Sequence, residues 1–303
     1  MNNFFWICLI SLLFMACGKS GKRETPTEGS FVLSADPAVG KVSAELADAF
    51  NFVYKYTDIQ VQYMRESDAI NALLEDSVRL IIIPGTLSPE MIKALQSQRI
   101  YPKIQPLALD AIAIILHPDN PDSLLSPDMI RDILSGKIKN WKETGTAGLK
   151  EDIQVVIDES GSSVANYLSR ELMKGEAISA RIYAAGSNPG VIEYVSTHKG
   201  AIGCIGVNWI CNSNDSMAIG FLKQVRPAHI QNPEDKKYYL PFQAWIGQGL
   251  YPFRRMVNAI SLETHAGPAT GFIAYAASEK GQRIILKSGL MPVMKPTRMI
   301  EIR

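Results

Sequence analysis

The sequence predicts an α/β protein, and three observations carry that expectation. Short β-rich runs alternate with stretches of helical spacing along almost the whole chain, the pattern of strands crossed over by helices with largely parallel pairing. Beyond residue 29 the chain is about 270 residues long, enough for two modest lobes or one large domain. No internal repeat of fixed period interrupts the alternation.

The elements follow in order. Ser30 to Ser34 (SFVLS) reads as a strand, and Lys41 to Tyr56 carries apolar residues at helical spacing. Ile59 to Met64 alternates as a strand does, and Ser67 opens a helix through Leu74. Val78 to Ile83 (VRLIII) reads as a buried strand. Pro89 to Gln98 is a helix with proline at its first position, where a missing N–H costs nothing. Ile112 to Leu116 is an apolar strand, Pro127 to Leu134 a short helix, Ile153 to Ile157 a strand and Ser163 to Met173 a helix. Ala201 to Val207 and Met217 to Leu222 read as strands, and Tyr238 to Gly249 is β-rich. A long helix from Pro268 to Ser288 closes the pattern.

The N-terminus is of a different kind. Phe4 to Met15 (FFWICLISLLFM) is an apolar run too short for a bilayer, which needs roughly 20 residues, so residues 1–16 read as a signal peptide. Ala16-Cys17, followed by Gly18-Lys19-Ser20, resembles a bacterial lipobox. That resemblance implies cleavage before Cys17 and lipidation of its thiol. Two features depart from the pattern: Met1-Asn2-Asn3 lacks Lys and Arg, and Phe14 stands where Leu is commoner. An uncleaved membrane anchor is the alternative, and either reading puts the remaining chain outside the cytoplasm at a membrane. Residues 17–29, rich in Gly, Lys, Ser, Pro and Thr, read as a flexible, lipid-anchored tether.

Composition narrows the function. A net charge of +1 leaves no broad basic surface for nucleic acid. Of the four cysteines, Cys8 falls in the expected signal and Cys17 at the expected lipid. If the segment between Cys204 and Cys211 is extended, their Cα atoms lie roughly 23 Å apart at ~3.3 Å per residue. A disulfide needs about 4.4–6.8 Å. Two free thiols are therefore expected, and only a hairpin would permit a bond.

Four blocks, in order, resemble the phosphate-binding type of periplasmic solute-binding protein that serves ABC importers, in the lipoprotein form of Bacteroidetes-like bacteria. They are Ser126 to Trp141 (SPDMIRDILSGKIKNW), Asp158 to Leu168 (DESGSSVANYL), Lys199 to Asn208 (KGAIGCIGVN) and Thr270 to Val293, where a closing helix is broken by Lys-Gly-Gln and stops at Gly-Leu-Met-Pro. The resemblance implies a type II two-lobe binding protein with mixed sheets and a ligand cleft. Lobe 1 would be 30–111 plus 240–303, and lobe 2 would be 112–239. The hinge would lie near Asp110 and Tyr239.

In open α/β sheets ligands meet the loops after the carboxyl ends of strands. That rule selects Ala35-Asp36-Pro37, Arg65 to Asp68, Pro84-Gly85-Thr86 and Asp158 to Ser163. The candidate ligand residues are Asp36, Ser67, Thr86, Ser160, Ser162 and Ser163. The serine loop precedes a helix, so N–H groups and hydroxyls there could meet an anion; Ser162 as a simple helix cap is the alternative. Departures from the family pattern are visible. Pro84-Gly85 stands where the family has an aspartate or a Thr-Arg pair, Val164 replaces a hydroxyl residue, and Asp158 stands near the place of an arginine. The loops carry Asp36, Glu66, Asp68, Asp158 and Glu159 against Arg65 alone. Two like charges at 4 Å repel by about 4 kcal/mol at an effective dielectric of 20, roughly three decades of affinity. Two of these carboxylates facing the cleft would make bare phosphate a poor ligand.

Enzyme classes find little support. His117, His198, His229 and His265 are scattered, with no H-E-x-x-H pair for zinc. Ser160-Gly161-Ser162-Ser163 lacks the flanks of a nucleophile elbow, and Gly200, Gly203 and Gly206 lie inside an apparent strand. No catalytic residue, metal or cofactor is expected. Tyr54, Tyr56, Trp209 and Trp245 could line a cleft, but residues at their spacing more often belong to a core. The expected function is a periplasm-facing, membrane-anchored, monomeric lipoprotein that binds phosphate or another oxyanion for an ABC permease. The alternative is a non-transporting sensor or interaction lipoprotein whose binding-protein fold has lost phosphate binding.

Overall fold

The computed structural model describes residues 24–145, 149–211 and 215–294. The expected signal peptide, Cys17 and the first part of the tether lie outside the described residues.

Strand β1 (Glu28–Ala35) starts two residues before the expected Ser30, after a bridge between Thr25 and Glu28, while Glu24 pairs with Arg79. A single 3-10 turn (Pro37–Val39) leads into helix α1 (Gly40–Val53), which turns Val42, Leu46, Ala47 and Phe50 inward at helical spacing. Strand β2 (Tyr56–Tyr63), helix α2 (Glu66–Leu74) and strand β3 (Leu80–Ile83) follow. Helix α3 (Pro89–Ser97) has the proline at its start, and the Ser88 hydroxyl accepts from Met91 N at 3.2 Å. Strand β4 (Lys103–Leu116) is nine residues longer than the apolar run that predicts it.

The middle of the chain holds strand β5 (Leu124–Leu125), helix α4 (Pro127–Leu134), strand β6 (Gln154–Ile157) and helix α5 (Ser163–Tyr167), which widens into a π-helical turn over Leu168–Leu172. Strand β7 (Ile182–Ala184), helix α6 (Asn188–Thr197), strand β8 (Ala201–Gly206) and helix α7 (Asn208–Cys211) come next. Met217–Leu222, expected as a strand, lies in helix α8 (Ser216–Leu222): the Asp215 side chain caps it by accepting from Met217 N at 3.0 Å, and a short apolar run has no period that separates helix from strand. Strands β9 (Arg226–Pro227), β10 (His229–Gln231) and β11 (Tyr238–Tyr239) complete this part. The β-rich stretch expected through Gly249 is strand only in β11. After Pro241 it becomes helix α9 (Gln243–Gln248), closed by Gly249 at φ 84°, where a glycine is favoured.

Strand β12 (Arg254–Ser261) precedes two helices, α10 (Pro268–Ala277) and α11 (Glu279–Lys287), and strand β13 (Met291–Pro292). The closing helix, expected over Pro268 to Ser288 with a break at Lys-Gly-Gln, is broken just before that block, at Ser278, whose ψ of 166° is extended. The Lys-Gly-Gln block explains the break. Gly281 packs against the Tyr275 and Ala276 carbonyls where a Cβ would clash, and Gln282 donates to Ala276 O at 3.0 Å and Leu107 O at 3.1 Å.

The main sheet runs β2-β1-β3-β12-β4-β8-β6-β7. β1 is parallel to β2 and β3, and β6 is parallel to β7 and β8, whereas β12 is antiparallel to β3 and β4, and β4 is antiparallel to β8. The pairing is thus mixed rather than largely parallel, because β12 and β4 enter between the two parallel sets. β4 pairs with β12 up to Ala111 and with β8 from Ile112, so one strand belongs to both halves of the sheet. Helices cover both halves. Phe272 of α10 meets Phe31 and Phe50 edge-on at 6.5 and 5.7 Å. Gly203 of β8 admits Val191 and Val195 of α6 so closely that a Cβ would lie 2.8 Å from each, so this glycine spacing serves packing. Trp141 is fully buried and donates to Gly200 O at 3.0 Å. Cys204 and Cys211 are free thiols, as expected. No helix among the described residues is long and apolar enough to cross a membrane.

Candidate functional site

The loops after β1, β2, β3 and β6 meet at one place, and the Asp36 carboxylate stands at its centre, 1% exposed. Its Oδ1 accepts from Ala38 N at 2.9 Å and from the Ser163 hydroxyl at 2.8 Å. Its Oδ2 accepts from Glu66 N at 3.0 Å and Ser163 N at 3.3 Å. Three of these four donors are N–H groups at helix starts, which carry no intrahelical partner. The same donors would suit an external anion; here they hold an aspartate of the chain itself.

The serine loop divides its hydroxyls. Ser162 accepts from Ala165 N at 3.1 Å, capping α5, and donates to Asp158 Oδ1 at 2.6 Å. Ser163 serves Asp36. Ser160 is exposed, and its carbonyl accepts from Arg65 Nη1 at 3.1 Å. Gly161, at φ 79°, turns its carbonyl to Ser67 N at 3.2 Å, while the Ser67 hydroxyl accepts from Asn166 Nδ2 at 3.3 Å. Asp36, Ser67, Ser162 and Ser163 are therefore brought together, and Ser160 sits on the rim. Thr86 is exposed and lies to one side, on a neighbouring groove.

Charge around Asp36 is dense. Glu66, Asp110 and Asp158 are buried, and burial raises all three above the usual carboxylate range. For Glu66 the Arg170 guanidinium, 2.7 Å from Oε1, opposes that shift; for Asp158 the Ser162 hydroxyl does. Arg255 Nε donates to Asp110 Oδ2 at 2.7 Å, and this pair is almost wholly buried. Arg65 is accordingly not the sole cation. Loop-by-loop reading misses Arg170, which comes from the turn after α5, and Arg255, which comes from β12. The signal for Arg255 lay in Arg254 to Ser261 (RRMVNAIS), where apolar residues recur behind two arginines.

A groove of about 620 Å³ opens beside this cluster, between the β3–α3 loop, the turn after α5 and the start of β12. A second cavity, about 640 Å³, lies among Leu73, Val78, Met91, Leu95 and Leu262 at the opposite end of β3, away from the loops just described. Trp209 and Tyr54 pack on Phe221 and Phe50, and none of Tyr54, Tyr56, Trp209 and Trp245 lines the groove. Among the described residues, no group of three or more His, Cys, Asp or Glu side chains is placed to hold a metal ion.

The sequence model of the PBP superfamily domain matches residues 20–280. The chain belongs to the PBP superfamily. Among curated relatives, this superfamily member is 24% identical to the phosphate-binding protein PstS of Pseudomonas aeruginosa, over 84% of this chain and 80% of that one. It is also 24% identical to the PstS of Bacillus subtilis, over 98% and 97% of the two chains. Its fold matches a Clostridium perfringens protein solved with bound phosphate, with a TM-score of 0.72 at 24% identity over 88% of this chain and 100% of that one. An ABC-type phosphate transport receptor from Vibrio cholerae matches with a TM-score of 0.68 at 21% identity, over 87% and 100%. The two-lobe binding-protein architecture of this PBP-superfamily chain thus agrees with the mixed sheet and its shared strand β4.

Proposed function

We propose that the chain is an extracytoplasmic solute-binding protein that holds phosphate or another oxyanion in its cleft and delivers it to an ABC permease. It binds rather than catalyses. The observation that carries this reading is the set of four donors around Asp36, two from each half of the chain: Ala38 N and Glu66 N on one side, Ser163 N and its hydroxyl on the other. Donors from two halves that meet on one anion are what closure over an oxyanion requires. The names of the PstS relatives support phosphate as the first oxyanion to try.

On this reading 30–111 with 240–303 form one lobe, 112–239 the other, and Asp110 and Tyr239 flank the hinge. The partner change within β4 between Ala111 and Ile112 supports that division. Asp36, Ser67, Ser162 and Ser163 form the cleft wall, with Thr86 and Ser160 at its edges. Cys17 carries the lipid that holds a monomer at the periplasmic side of a membrane. Calorimetric titration of inorganic phosphate and a panel of phosphate esters into protein stripped of carried ligand tests the reading. Binding tighter than about 10 μM, roughly −6.8 kcal/mol, supports import; no heat from any of them at millimolar concentration sinks it.

One observation favours a second reading, a sensor or interaction lipoprotein that has lost phosphate binding: the Asp36 carboxylate already takes all four donors. That reading requires the halves to stay closed without ligand, which small-angle scattering of stripped protein with and without phosphate measures.

A further inference from the structure

We infer that the anionic ligand sits beside the serine loop rather than on it, in the groove formed by Thr86, Arg170, Arg254, Arg255 and Asn258, and that it is a phosphate monoester of a small organic alcohol. This rests on the solute-binding reading and names the class of solute.

Four observations converge. The donors at the serine loop are taken by Asp36, with buried Glu66 and Asp158 close by, so a dianion there meets carboxylates before free N–H groups. The groove is lined instead by three arginines and one acid, Glu171; Arg170 and Arg255 are already paired with the buried Glu66 and Asp110, which leaves Arg254 as its uncommitted cation among the described residues. Arg254 is exposed and forms no ion pair among the described residues. The Arg255 side chain is 3% exposed, yet its Nη1 has no hydrogen-bond partner. A buried charged donor left open is costly, and a ligand oxygen removes that cost.

The third observation is the N-terminal end of α3. Leu87, Ser88 and Pro89 border the groove, so the positive end of a nine-residue helix faces it together with the arginines. The fourth is size and lining. About 620 Å³ falls in the range of small-molecule sites, roughly 300–1,000 Å³, and exceeds what an ion of five heavy atoms fills. Pro84, Tyr167, Pro252 and Met256 add apolar surface against which an organic group packs while the arginine forks hold the phosphate oxygens.

The test is calorimetry of glycerol 3-phosphate, phenyl phosphate and inorganic phosphate against wild type and Arg254→Ala, with melting curves to confirm that the variant folds. The expected result is that an ester binds more tightly than inorganic phosphate. Arg254→Ala should weaken it at least tenfold. If inorganic phosphate binds as tightly as the esters, or Arg254→Ala leaves ester binding intact, the groove assignment is overturned while the solute-binding reading stands. If none of the three binds, both fall.

Discussion

Ser163 donates its hydroxyl to the Asp36 carboxylate at 2.8 Å, across 127 residues of sequence, and so ties the β1 loop to the serine loop. The contact is not isolated. Ser67 N to Gly161 O, Arg65 to Ser160 O and Arg170 to Glu66 run in parallel with it, and Lys41 pairs with Asp215 further along the same seam. These loops are therefore held together by bonds of the chain itself, with Asp36 as their shared acceptor.

Asp36→Ala should turn that arrangement into an open oxyanion site. The substitution leaves Ala38 N, Glu66 N and both Ser163 donors without their acceptor. An unsatisfied buried donor costs about 1–3 kcal/mol. The variant should melt earlier than wild type, and 10 mM inorganic phosphate should restore more stability to it than it adds to wild type. A variant whose melting ignores phosphate would show that these donors do not form an anion cradle.

Much of the fold is legible in the sequence, because α1, α3, α4 and β8 have strong periods or clear caps: the pattern of Pro127–Leu134 gives the bounds of α4. β12 is masked in the sequence, although it lies at the centre of the sheet, because it opens on Arg254-Arg255 and carries Asn258. Only its neighbours explain those polar residues: Asp110 on β4 takes Arg255, and Gly85 O takes Asn258 Nδ2 at 2.7 Å. The site shows the same limit. The serine loop and the β1 loop could each be found from strand ends, but no local pattern states that Ser163 and Asp36 bond to each other. Nor could Ser162, a cap, be told from Ser163, a donor to Asp36.

The Arg255–Asp110 pair supplies a stability test. Asp110 is 0% exposed, and removing its partner strands a buried carboxylate. Arg255→Met should cost about 3–5 kcal/mol in denaturant unfolding, and the double change Arg255→Met with Asp110→Leu should recover much of it. Equal losses in the single and double variants would mean that packing, not charge, sets the cost.

Glu66 sets a pH dependence of defined sign. Burial raises its pKa in the folded protein above the unfolded value of about 4.3. In the window between those two values the folded state binds more protons, so stability falls as pH rises. Glu66 thus contributes stability that is fully present below about pH 4.3 and lost as pH climbs through the raised folded value. Asp110 and Asp158 act with the same sign. Glu66→Gln keeps an acceptor for Arg170 and removes one of these protons. Urea unfolding from pH 4 to 8 should give the variant a shallower decline than wild type, and an unchanged slope would exclude Glu66 as a source.

The two described thiols should be silent in the folded protein. Burial pushes Cys204 and Cys211 each to about 12, and Cys211 also lies 3.0 Å from Pro241 O. An ordinary thiol near 8.5 is about one-quarter thiolate at pH 8, whereas one at about 12 is about 10⁻⁴ thiolate. Since the thiolate is the reacting form, alkylation of the native protein at pH 8 should be roughly a thousandfold slower than in denaturant. Mass spectrometry of the labelled peptides reads the two positions separately. Fast labelling of Cys211 alone would show that its contact with Pro241 opens in solution, and with it the segment proposed to flank the hinge.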